Sequence, residues 1–308
     1  MKAGNATLSG YGTTIFEGMS ALAREHAAVN LGQGFPDARG ALELRRAAAD
    51  YVMDGHNQYP PMMGMPALRE AVAAHDKRCY GIEVDWRTEV LVTSGATEAL
   101  FDCFMGLLEV GDEVVLLEPA YDTYAPVIRR LGAVPRPVRL VPPTWSLPHD
   151  ELVAAFSPRT KMIVLNTPMN PTGKVFTRAE LAFLAELAIR HDVFVVCDEV
   201  YEHLTFGAVQ HIPLMTLPGM RERTVRIGSA GKTFSITGWK VGYITGPATP
   251  PTAMMLARRL DWAALLRRVF GDDVTRCPRC GDHLRVLAFL THPDVTARIL
   301  LRRHGLKA

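Results

Sequence analysis

Lys232 follows two small residues and a glycine in SAGKTFSITGWKVGY (Ser229–Tyr243), and Lys240 follows it in the same apolar and hydroxylated setting. Two chemistries compete for Gly231-Lys232-Thr233. A phosphate-binding P-loop needs a further glycine five positions before the Gly-Lys pair, so that backbone amides can cradle phosphates. That position is Arg226, and the nearest earlier glycine is Gly228, which excludes the P-loop. A lysine held among apolar groups has another use. Desolvation disfavours its charged form, and the free amine becomes a nucleophile toward carbonyls. Taken alone, Lys232 could equally be a surface lysine after a strand.

The elements that position it decide between these readings. Short apolar runs rich in Val and Ile recur along the chain: EVLVTSG (Glu89–Gly95), EVVLLE (Glu113–Glu118), KMIVLN (Lys161–Asn166), VFVVCDE (Val193–Glu199), TVRIGSA and KVGYITG. Their length and composition predict buried strands. A helix is predicted from Thr97 to about Glu109. Another is predicted in TRAELAFLAELAIRH, where Thr177 and Glu180 form a capping box ahead of apolar residues at helical spacing. Strand–helix alternation predicts an α/β fold with a mostly parallel sheet, and such sheets bind ligands beyond the carboxyl ends of their strands. Those ends carry Ser94-Gly95-Ala96-Thr97, Glu118-Pro119-Ala120-Tyr121, Asn166 to Gly173, Asp198-Glu199-Val200-Tyr201 and Ser229 to Lys232. Each could be ordinary loop chemistry. As a set they look like a ligand grip.

With 308 residues, 48% apolar, 21% charged and a net charge of +2, the chain reads as one large or two smaller soluble domains. That charge argues neither for nor against nucleic acid as a general partner. The opening MKAGNATLSGYGTT lacks a signal-peptide core, and no apolar run is long enough to span a membrane. The five cysteines suit a reducing cytosol better than a disulfide framework. A cytoplasmic location is therefore expected.

Over residues 10–248 the chain resembles the class I/II aminotransferases, pyridoxal phosphate (PLP) enzymes of fold type I, and their methionine and kynurenine aminotransferase branch above all. The matching stretches are NLGQGFPD, NQYPPMMGMPALREAVA, TSGATEAL, EPAYDTY, NTPMNPTGKVF, CDEVYEHLTF and SAGKTFSITGWKVGY. The resemblance implies a seven-stranded, mostly parallel sheet flanked by helices. It implies that Lys232 holds PLP as a Schiff base and then moves the substrate's α-proton. Asp198 would pair with the pyridinium nitrogen, so that the ring serves as an electron sink. Asn170 and Tyr201 would bond the phenolic oxygen, and Tyr121 would stack on the ring. Gly95, Ala96 and Thr97 open a helix whose N-terminus favours the phosphate, with Ser229 and Lys240 as its hydroxyl and cationic contacts. Many relatives carry arginine where this chain has Lys240, and lysine supplies a point charge without the fork. Tyr59 would reach the phosphate bound by the neighbouring subunit, which implies a homodimer. Gly32 and Asn170 would line the substrate site, for an α-amino acid and a 2-oxo acid.

The expected domains are an N-terminal arm (1–44), a PLP-binding large domain (45–248) and an unrelated, mainly helical tail (249–308) in place of the family's small domain. That small domain usually carries an arginine that clamps the substrate carboxylate, and no tail arginine sits in a matching context. The tail resembles the C-terminal end of a bacterial insertion-sequence transposase. Its Cys277 and Cys280 have the C-x-x-C spacing of half a zinc site. His283, with His292 or His304, is available to complete it, but a second C-x-x-C is missing. Three functional readings follow. The first is an aminotransferase whose activity is impaired by truncation. The second is an inactive or unstable remnant of an aminotransferase disrupted by a mobile element. The third is a chimera that contacts DNA through the tail's arginines.

Overall fold

The computed structural model describes residues 4–34, 36 and 38–248. Its strands are β1 (Val90–Thr93), β2 (Glu113–Glu118), β3 (Val134–Arg139), β4 (Thr160–Asn166), β5 (Phe194–Asp198), β6 (Thr224–Ser229) and β7 (Gly242–Thr245). They form one seven-stranded sheet in the order β1-β7-β6-β5-β4-β2-β3. The pairs β2/β3, β2/β4, β4/β5 and β5/β6 are parallel. β7 runs antiparallel to both its neighbours, β1 and β6. The α/β class and the mostly parallel sheet are as the sequence predicts.

The helices are α1 (Ile15–Glu25), α2 (Leu42–Asp54), α3 (Pro66–Tyr80), α4 (Trp86–Glu89), α5 (Ala96–Leu107), α6 (Tyr124–Arg130), α7 (His149–Ala154), α8 (Arg178–Arg190) and α9 (Ala230–Thr233). The strands alternate their side chains between two covered faces. Val115, Ile163 and Val195 pack in one core with Leu152 of α7 and Leu181 and Leu184 of α8. Val114, Val164 and Val196 pack in the other with Leu100 and Phe104 of α5 and Ile128 of α6. Burial on both faces explains why these strands read as continuous apolar runs rather than as alternating ones.

The predicted capping box is present: the Thr177 side chain accepts from the Glu180 amide, and the Glu180 carboxylate accepts from the Thr177 amide. α5 begins at Ala96, one residue before its predicted start. β3 was not predicted. Its sequence VPRPVR holds two prolines, which cannot donate to a ladder, and it is tolerated because β3 pairs on one side only, with β2. Among the described residues, no helix is long and apolar enough to cross a membrane.

Candidate active site

The carboxyl ends of β1, β2, β4, β5 and β6 lie on one side of the sheet, and β7 starts there. At the end of β6 the Ser229 hydroxyl accepts a hydrogen bond from the Lys232 amide at 3.3 Å, capping the single turn α9. That cap fixes Lys232 one turn beyond the strand. The hydroxyl's own proton remains available to donate. Lys232 is half-buried, and its Nζ lies 5.4 Å from the centroid of the Tyr201 ring.

Asp198 ends β5 and is buried. Its Oδ2 accepts from the Tyr124 hydroxyl at 2.5 Å, and its Oδ1 lies 3.5 Å from the Val200 amide. Burial raises the pKa of this carboxyl. The Tyr124 hydrogen bond, the Val200 amide and the Lys232 charge offset part of that rise without cancelling it. Asp198 thus faces the cavity without a full counter-charge. The neighbouring strand end adds precision. Asn166 donates to the Asp198 carbonyl at 2.8 Å and accepts from the Asn170 amide at 2.7 Å. One amide side chain therefore ties the Asn170 loop to β5.

The opposite end of the cavity is the start of α5. Gly95 is its N-cap, with φ of 83° and no side-chain cap. A β-carbon there would force a side chain into a conformation that favours glycine. The first helical amides of Ala96 and Thr97 lack intrahelical partners and carry the positive end of the helix dipole. β7 presses against this turn: a β-carbon on Gly242 would stand 2.4 Å from the Gly95 carbonyl carbon, so only glycine permits the approach. Lys240 adopts a left-handed conformation (φ 56°) and its backbone and stem run beside Gly95.

A cavity of about 210 Å³ joins these ends. Ala96, Thr97, Tyr121, Asn170, Asp198, Tyr201 and Lys232 line it. Gly95, Ser229 and Lys240 support its rim through the contacts above. Gly32 is one residue before Gln33 and Gly34, which do line it. Tyr59 is 95% exposed and apart from the cavity. Cys277 and Cys280 lie outside the described residues. The sequence assigns no individual role to Tyr124, Asn166 or Gly242. Tyr124 lies three residues after Tyr121 in EPAYDTY, Asn166 ends a predicted strand, and Gly242 sits inside the Lys240 motif. The spacing was therefore visible, but the partners were not. Phe16 of α1 also reaches the cavity, which brings the N-terminal segment into the site.

A second, more apolar cavity of about 770 Å³ shares Gly34, Asn170, Tyr201 and Lys232 with the first and is walled by Met169, Val175, Leu204, Phe206 and Val209. Together the two cavities present a carboxylate, an amine beside the Tyr201 ring, a helix start suited to an anion and an apolar annex. This set suits a planar cationic heterocycle with an anionic tail, and a substrate with an apolar side chain.

The family model described as "Aminotransferase class I and II" matches residues 27–270. The probable N-succinyldiaminopimelate aminotransferase DapC of Mycobacterium tuberculosis is 50% identical over 240 residues, covering 77% of this chain and 60% of that protein. The methionine aminotransferase of Escherichia coli is 46% identical over 237 residues, covering 77% and 61%. The solved structure of N-succinyldiaminopimelate aminotransferase from M. tuberculosis superposes with a TM-score of 0.81 at 46% identity, covering 85% of this chain and 68% of that one. The chain spans about 60% of the length of the curated relatives it matches.

Proposed function

The chain belongs to the class I and II aminotransferases, and from that premise we propose that it moves an amino group between an α-amino acid and a 2-oxo acid with PLP, the cofactor of that family. One observation carries the reading. Lys232, the under-compensated carboxylate of Asp198 and the uncapped start of α5 meet around a single cavity.

The residues fit the cofactor. A buried carboxyl short of counter-charge matches a protonated ring nitrogen. The amides of Ala96 and Thr97, the free proton of Ser229 and the cation of Lys240 match a phosphate. When bound, PLP supplies a ring that withdraws electrons from the substrate's α-carbon. The chain's own groups do the rest. Asp198 would hold the ring nitrogen's proton, and the Tyr124 hydroxyl holds Asp198 in place. Asn170 and Tyr201, which line the cavity, would donate to the ring's phenolic oxygen. Lys232 would hold the cofactor through its amine and would carry the proton to and from the substrate's α-carbon. Tyr121, with its ring centroid 5.7 Å from that of Tyr124, supplies a flat wall.

The apolar annex favours a donor with a methionine-like or aromatic side chain. No arginine lines either cavity among the described residues, so the substrate carboxylate finds no guanidinium there. The expected partner is a second copy of this chain, supplied with Tyr59. The exposed apolar residues Tyr51, Val52, Met53 and Met62 beside Tyr59 support that reading. The scattered cysteines support a reducing, cytoplasmic setting. Residues 1–44 are read as the arm, 45–248 as the cofactor domain and 249–308 as a tail of separate, transposase-like origin.

Borohydride treatment of the PLP-loaded chain followed by peptide mass mapping tests the assignment. The pyridoxyl label is expected on Lys232. Label on another lysine of the folded protein would overturn it.

A further inference from the structure

Helix α3 and the segment after β5 bring together a cluster that the proposed amino transfer leaves unused. α3 carries His75 and Cys79 one helical turn apart, on one face of the helix. The segment after β5 brings His203 to them, and the ligand atoms of all three lie within 4.8 Å of one another. His75 Nε2 and His203 Nε2 are only 2.9 Å apart.

The other nitrogen of His75 is spoken for. Its Nδ1 stands 3.2 Å from Asp76 Oδ1, and Asp76 is fully buried and paired with Arg226 at 2.9 Å. A carboxylate at Nδ1 places the proton there and turns the Nε2 lone pair outward, the arrangement found behind metal-bound histidines. Glu202 Oε1 lies 3.9 Å from both Nε2 atoms. The surroundings favour a cation. Three buried carboxylates, on Asp76, Glu199 and Glu202, surround the single guanidinium of Arg226. Cys79 and His203 are exposed, which leaves an entry path.

We infer that His75, Cys79 and His203 form a zinc-class site, with Glu202 or water as the fourth ligand. Two imidazoles, one thiolate and one oxygen suit a borderline-soft tetrahedral ion. Zinc–nitrogen bonds of about 2.0–2.1 Å require the two Nε2 atoms to separate by only a few tenths of an ångström. The ion would pin α3 to residues 198–203, the segment that also carries Asp198 and Tyr201. The site thus acts as a clasp between α3 and the segment that follows β5 and takes no part in the chemistry.

The test uses the full chain with Cys277→Ser and Cys280→Ser, which removes the tail's C-x-x-C. After chelator stripping, the protein is loaded with Zn²⁺ or Co²⁺ and gel-filtered. One equivalent of zinc per chain is expected by elemental analysis. The cobalt form should show tetrahedral d–d bands and a thiolate charge-transfer band. Cys79→Ser should abolish the charge-transfer band, and His203→Gln should weaken binding by about 10- to 100-fold or more. Both substituted residues are exposed, and unchanged circular dichroism would show that the variants fold. Failure to retain metal, or retention indifferent to both substitutions, would overturn the inference and show the histidine pair to be a simple N–H···N hydrogen bond. Neither outcome bears on pyridoxyl labelling of Lys232.

Discussion

Asp198 and Tyr124 act as a pair whose two members should fail differently. Asp198 is buried and holds its proton more tightly than an ordinary carboxyl, with burial the largest cause. A raised folded-state pKa in an acid contributes stability below the unfolded value, and that contribution is lost as pH rises through the folded value. Asp198→Asn should therefore stabilise the cofactor-free protein at neutral pH while lowering amino transfer by about 10²-fold or more, the usual loss when a key electrostatic group goes. Tyr124→Phe removes the 2.5 Å hydrogen bond to the same carboxylate. Its expected cost is about 1–3 kcal/mol of stability, because a buried acceptor loses its donor. Urea titrations of the two variants without cofactor should show shifts of opposite sign. Shifts of the same sign would mean that Asp198 is not held at an electrostatic cost. Asp198 was legible in the sequence because it ends a strand inside CDEVYEHLTF. Tyr124 was not, because a hydroxyl reaching across from the start of α6 leaves no mark in local spacing.

The far edge of the sheet is held by an element-level clamp. Glu113 opens β2 and accepts hydrogen bonds from Arg136 of β3, and from Ser157 and Arg159 ahead of β4. Arg136 and Ser157 chiefly hold its carboxyl down at about 2, against burial and with help from Arg159. A depressed carboxyl contributes stability that is present above its unfolded value near 4.5 and is lost as pH falls toward 2. Glu113→Gln should cost about 1–3 kcal/mol at pH 7. The arginines are partly exposed, which favours the lower end of that range. Denaturation at pH 7 and pH 3 should show the gap between variant and parent closing in acid, and a gap independent of pH would refute the clamp. β3 itself escaped the sequence because Pro135 and Pro137 contradict every local strand signal, and only its single-sided pairing admits them. β2, β4 and β5 were legible for the opposite reason: burial on both faces leaves an unbroken apolar run. The capping box of α8 was equally plain, since both of its partners lie within one turn.

At the scale of the whole molecule, the cavity was legible only as a set of strand ends, because no one of them specifies a ligand. Tyr59, exposed and not among the residues that line the cavity, acquires a role only if a second copy supplies it. Sedimentation should find a dimer, and Tyr59→Ala should weaken PLP retention about 10-fold, roughly the 1.4 kcal/mol of one lost phosphate hydrogen bond, while leaving the pyridoxyl label on Lys232. A stable monomer that retains PLP equally well would remove the role. The sheet order has a further consequence, for synthesis. β1 pairs only with β7, with Val90 opposite Thr245. β7 is made last of the seven, and it also carries Gly242, which presses on the Gly95 turn. At the ribosome, β2 to β6 can assemble as they emerge, while β1 waits unpaired beside an open β6 edge. The nascent chain therefore cannot pack Gly242 against the Gly95 turn until residues 242–245 clear the exit tunnel, and a stall before that point would expose two strand edges to aggregation.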